Sequence, residues 1–125
     1  MDPKYINKLW CKAKTYNPIR PFSSPSKWVY GFCFVINDET YLMNPDSAET
    51  YRVNSNTVCR CANVKDSVGN MLYEADLFNA GDTQYFITYD DSLHAFIVRD
   101  RFSDRYYHLS VFPTDRHRRA WNMYD

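Results

Sequence analysis

The stretch from Trp28 to Ile36 (W-V-Y-G-F-C-F-V-I) is apolar at both alternating sets of positions, and Asn37-Asp38-Glu39 ends it. It is too short, and too rich in aromatic and β-branched side chains, for a helix; the pattern predicts a central strand covered on both faces. Tyr41-Leu42-Met43 predicts its antiparallel return, closed by Asn44-Pro45-Asp46, and Thr50–Val53 predicts a further short strand before Asn54-Ser55-Asn56. Val58–Val64 and Met71–Tyr73 flank Asp66-Ser67-Val68-Gly69-Asn70, a turn in which Gly69 is free to take positive φ. Asn79-Ala80-Gly81-Asp82 reads as the next turn. Gln84–Tyr89 and His94–Val98 enclose Asp90-Asp91-Ser92 as a second hairpin, and Tyr106–Phe112 gives one more strand stopped by Pro113. The alternation thus predicts about seven strands and a mainly β, antiparallel fold.

The two ends carry a different period. After Pro113, Thr114 is a candidate cap, Asp115 suits a helix N-terminus, and His117, Trp121 and Tyr124 recur at helical spacing. A short helix over 113–125 is expected, its stripe packed on the sheet. Near the N-terminus, Tyr5/Leu9 and Ile6/Trp10/Ala13 satisfy helical spacing, with Lys4, Lys8 and Lys12 on another face, yet no closing cap follows. Helix and strand both stay open there.

Composition sharpens this picture only in part. With 125 residues the chain has the length of one domain. Eleven Tyr, eight Phe and three Trp suit pleated, half-buried surfaces, in line with sheet. Formal charge is zero, so the whole molecule casts no strong field toward nucleic acid or anionic lipid. Basic ends, Lys4 to Arg20 and Arg116 to Arg119, flank a middle in which acids outnumber bases. No apolar stretch approaches a membrane span, and no signal-like core opens the chain, so a soluble protein of the cytoplasm is expected. Cys11, Cys33, Cys59 and Cys61 are then expected as reduced thiols, Cys33 as a small core hydrophobe.

The most distinctive segment is Thr57 to Leu77. It holds Thr57-Val58, then Lys65-Asp66, the Gly69 turn, and the corner Tyr73-Glu74-Ala75-Asp76-Leu77. In these residues and their spacing the chain resembles the YopX family of phage and prophage proteins. Trp28-Val29-Tyr30-Gly31, Lys8-Leu9-Trp10 and the hairpin from Tyr85 to Val98 are similar to flanking features of that family. Ala75 and Asn63 stand where the family pattern has glycine; alanine disfavours positive φ, whereas asparagine tolerates it. The resemblance implies one domain. It would have an N-terminal strand-rich part (1–55), an SH3-like barrel (56–112) and the C-terminal helix (113–125). It also implies that Tyr73 and Leu77 anchor the acidic corner while its carboxylates accept backbone hydrogen bonds. It carries over no catalytic residue.

Other constellations point to binding rather than chemistry. Cys59-Arg60-Cys61 with His94, His108 or His117 offers zinc donors, but structural thiols are the preferred reading, on the expectation that the two sulfurs diverge across a strand. His108 and Ser110, with Asp104 near in sequence, lack a nucleophile elbow or a glycine-rich oxyanion turn. No enzyme, cofactor or metal is therefore expected. An accessory module that binds a host or phage protein, one version being a host-factor inhibitor, is the first expectation, because Tyr, Trp and Arg concentrate at energetic centres of interfaces. A regulatory nucleic-acid-binding β-barrel is the alternative. Self-association through an exposed edge strand is a third route. Arg116, Arg118, Arg119, Lys4, Lys8 and Lys12 are the candidate contacts for a partner or nucleic acid.

Overall fold

A computed structural model of the chain describes residues 10–16 and 26–125. Lys4, Lys8 and the helical spacing of Tyr5, Ile6 and Leu9 lie outside the described residues. Eleven strands occur among those described, in two antiparallel sheets. The chain forms two compact units that divide between Arg60 and Cys61.

In the first unit β1 (Trp10–Lys14), β2 (Trp28–Ile36), β3 (Glu39–Asn44) and β4 (Glu49–Arg52) pair in chain order. The open question at Trp10–Ala13 resolves as strand, because β2 supplies hydrogen-bonded partners along all of β1. β2 is central, as its two-sided apolar pattern predicts. Tyr30, Val35 and Ile36 nonetheless reach solvent, so its cover is incomplete. Thr15 bridges Val53, and the Tyr16 N–H donates to the Arg52 carbonyl at 2.9 Å, so the far end of β4 returns to β1. The core consists of Cys11, Ala13, Val29, Leu42 and Val53, with Cys33 packed against it. Burial pushes the Cys33 thiol pKa up, which keeps it protonated and inert. The next strand, β5 (Cys59–Lys65), starts in this unit and continues into the second.

In the second unit β5 pairs with β6 (Met71–Tyr73). Asn63, in the irregular stretch of that pairing, takes φ +58, a conformation open to asparagine. A five-stranded sheet has the order β10-β9-β8-β7-β11, built from β7 (Asp76–Ala80), β8 (Thr83–Asp90), β9 (Ala95–Asp100), β10 (Tyr106–His108) and β11 (Arg119–Asn122). Phe78, Ile87, Val98, Leu72, Ala62 and Leu109 form its core, with Tyr85, Phe96 and Phe112 against it.

The sequence pattern missed β7. Its apolar signal is only Leu77-Phe78, pressed between the acidic corner and a turn, yet both side chains are fully buried. Tyr106–Phe112 is shorter as a strand than expected, since Leu109–Val111 form a 3-10 turn.

The expected C-terminal helix over 113–125 is not formed. Thr114–Arg116 make one 3-10 turn and Arg119–Asn122 a strand on β7. A helix this short has little stability alone, whereas the extended form pairs Asn122 with Asp76 and Trp121 with Leu77. The supposed stripe dissolves accordingly. His117 stacks on Phe112, with ring centroids 5.1 Å apart, while Trp121 and Tyr124 stay exposed.

Ala75 also departs from expectation, with φ +70. Its N–H donates to the Ile87 carbonyl (2.8 Å) and its own carbonyl accepts from the Met123 N–H (2.9 Å). Strain of this kind persists where surrounding structure over-determines it.

Candidate functional site

The C-terminal edge of the second unit is held by two buried carboxylates. Asp76 is inaccessible to solvent. Its Oδ2 accepts the Tyr73 N–H at 2.7 Å, closing the corner as the family resemblance implies, and its Oδ1 accepts Asn122 Nδ2 at 3.0 Å. Arg119 Nη1 lies 3.6 Å from the same Oδ1. Asn122 Nδ2 also reaches the Glu74 carbonyl at 3.0 Å, so Glu74 joins the corner through its backbone. Anchoring by Tyr73 and Leu77 is as expected, both being buried.

Asp66 is the second holdfast. It accepts the N–H groups of Val68 (3.0 Å), Asn70 (2.8 Å) and Arg119 (3.0 Å), and Asn70 Nδ2 at 3.1 Å. The Ser67 N–H donates to the His117 carbonyl, tying the 66–70 turn to the last segment once more. Burial works to raise the Asp66 carboxyl pKa, but the N–H of Arg119, both donors of Asn70 and the N–H of Val68 together hold it below its ordinary 3.8. A lowered folded-state pKa means that this contribution is complete above about pH 4 and is lost as pH falls through the folded-state value. The melting temperature is therefore expected to drop below about pH 4, and Asp66→Asn should flatten that acid limb while lowering the neutral-pH value. Melting curves from pH 2 to 7 decide it: an unchanged acid limb would refute this role.

What the clasp displays is a mixed cationic and apolar edge. Arg116 and Arg118 are exposed, as are Trp121, Met123 and Tyr124, and Val68 stands out at the tip of the turn that Asp66 organises. Arg119 does not belong with its neighbours. Its guanidinium turns toward Asp76, its Nε is buried with no hydrogen-bond partner, and its contribution is internal. Lys12 is likewise not a surface contact: it is 2% exposed, with Nζ 4.4 Å from the centroid of the Trp28 ring. The register explains this, because Lys14 faces Trp28 and Lys12 lies two residues along the same face, bringing both ammonium groups onto one indole.

The chemistry-bearing groups stay apart. Cys59 and Cys61 are two residues apart on β5 and so share a face, contrary to the expectation that their sulfurs diverge. Both are buried, bonding the Thr57 carbonyl and Asn63 Oδ1. Among the described residues no three His, Cys, Asp or Glu side chains are grouped to hold a metal. His108 ends β10 while Ser110 lies in the 3-10 turn, so the two do not share a strand face. Asp90 Oδ1 accepts the N–H groups of Ser92 and Leu93, a turn-forming role.

Arg116 and Arg118, named from the sequence as candidate contacts, lie exposed on this edge, and the turn at Asp66 and the corner at Asp76 were also legible, but their link to the last segment was not. Asn122 gave no signal, being one asparagine among ten in no recognisable motif. Compared with protein-family models, curated proteins and solved structures, the chain matches none.

Proposed function

We propose that this chain is an accessory binding protein that engages a protein partner through the edge formed by β11 and the residues around it. The observation that carries the reading is the exposure of Trp121, Met123 and Tyr124 beside Arg116 and Arg118, on a segment fixed by Asp66 and Asp76. Trp, Tyr and Arg dominate the energetics of protein interfaces, and a rigid scaffold reduces the ordering cost of binding. The nucleic-acid alternative is weakened at this edge, because Arg119 is committed to Asp76.

The YopX resemblance adds a phage or prophage origin, a site of action in the host cytoplasm, and a host or phage factor as the target, inhibition being one version. An SH3-like barrel in the second unit belongs to the same proposal. Its support is the strand order, a four-strand meander followed by 3-10 turns and a last strand that returns to the first strand of the meander. The left-handed backbone at Asn63 and Ala75, where the family pattern has glycine, is further support.

The test is affinity capture from host lysate, with and without infection, using the full chain and the variants Trp121→Ala and Arg118→Glu. A stoichiometric partner should be retained by the original chain and lost by both variants, with melting temperatures unchanged. No partner, or one indifferent to both substitutions, would overturn the proposal. Sedimentation of the free protein reports self-association through the same edge.

A further inference from the structure

Toward the β10 edge of the five-stranded sheet, the edge away from β11, the register assembles cations and rings that the linear sequence keeps apart. Residues directly paired across antiparallel strands share a face, at about 4.8 Å between strands. Phe86 of β8 pairs with Arg99 of β9, and Arg99 pairs with Tyr106 of β10. A guanidinium therefore stands in one row between two rings. One row away, the Arg101 N–H donates to the Gln84 carbonyl and Arg101 Nη1 donates to Gln84 Oε1 at 2.9 Å, which fixes that guanidinium on the same face. In the row on the other side, His108 pairs with Ile97. Arg99, Arg101, Tyr106 and His108 are all exposed, and Phe86 is half-buried.

We propose that this face, Phe86-Arg99-Tyr106 with Arg101 beside it, binds single-stranded nucleic acid, a function separate from the protein-binding edge. Alternating guanidiniums meet phosphates, and exposed rings offer stacking platforms to unpaired bases, which every base can use. Asp90, on the same face, has its Oδ1 occupied by the Ser92 and Leu93 N–H groups, though its charge is felt at Arg99. Asp100 Oδ1 accepts the Phe102 N–H on the hairpin, and Asp104 sits exposed at the hairpin's tip. With a neutral whole chain, binding is modest and local rather than driven by a global field.

Fluorescence anisotropy with labelled twelve-residue single-stranded DNA and RNA and with duplex DNA, using the full chain, tests this. Two phosphate contacts predict a loss of about sevenfold in affinity for single strands between 50 and 200 mM salt, from a slope of about 0.7 per contact. Tyr106→Ala should weaken binding at least about fivefold, the lower end of one stacking interaction. Arg99→Glu should abolish it, while Arg118→Glu leaves it unchanged. Melting curves check that the variants stay folded. Preference between the DNA and RNA strands assigns the class of ligand. The proposal is overturned by absence of binding at 50 mM salt, by salt-independent binding, by variants that bind like the original, or by equal competition from polyglutamate.

Discussion

Asp76→Ala is expected to cost about 3–5 kcal/mol of stability, the range for removing one partner of a buried charged pair. Asp76 is wholly buried and receives the Tyr73 N–H, Asn122 Nδ2 and the Arg119 guanidinium. Alanine would remove an acceptor from all three, leaving the Tyr73 N–H stranded and Asn122 Nδ2 with the Glu74 carbonyl alone, and a buried donor left without a partner costs more than its bond contributes net. Arg119 is partly accessible, which moderates its share. Asp76→Asn should be intermediate, because one oxygen can still accept while the new amide opposes a donor. Urea unfolding of the three proteins measures this. The double variant Asp76→Ala/Arg119→Ala should lose less than the sum of its single changes, since removing both charges leaves nothing to desolvate unpaired. A loss for Asp76→Ala below about 1 kcal/mol would show that the corner is not what holds the C-terminal edge.

The parts of this fold that were legible in sequence share a physical cause. Strands written as alternation or as long apolar runs, such as Trp28–Ile36 and Gln84–Tyr89, carry their period locally, and turns such as Asp66–Asn70 carry their own chemistry. What failed depends on partners distant in the chain. The segment after Pro113 has helical spacing, but Asp66 and Asp76 capture it as extended chain from far earlier positions. Lys12 reads as a surface cation until β2 brings Trp28 against it. The same limit applied to the candidate sites. Arg116 and Arg118 were visible as a run of like charges, whereas the row Phe86-Arg99-Tyr106 exists only once three strands are in register. Ala75 fails for a related reason: its preference against positive φ is overridden by the hydrogen bonds it donates to the Ile87 carbonyl and accepts from the Met123 N–H.

Gly31→Ala is expected to cost about 3 kcal/mol or more, at or beyond the upper end for overpacking, because the obstruction is backbone. A Cβ at Gly31 would lie 2.4 Å from the Met43 carbonyl oxygen and 2.6 Å from its carbon. That carbonyl belongs to β3, whose neighbouring residues are paired with β2, so it cannot rotate aside as a side chain would. Gly31 cannot retreat either, since it is paired with Cys11 of β1 on its other side. The requirement for glycine is thus one of space between strands, which distinguishes it from Gly69, where φ is +89 and a Cβ would meet nothing within 4 Å. Gly69→Ala should then cost only the torsional penalty, about 1–2 kcal/mol. The two losses differ in where they act as well as in size. Hydrogen exchange should show protection lost across β1, β2 and β3 in Gly31→Ala, while Gly69→Ala loosens the 66–70 turn and the Asp66 bonds that it organises. If Gly31→Ala kept native protection in those strands and unfolded within about 1 kcal/mol of the parent chain, the close approach of β3 to β2 at this point would be wrong.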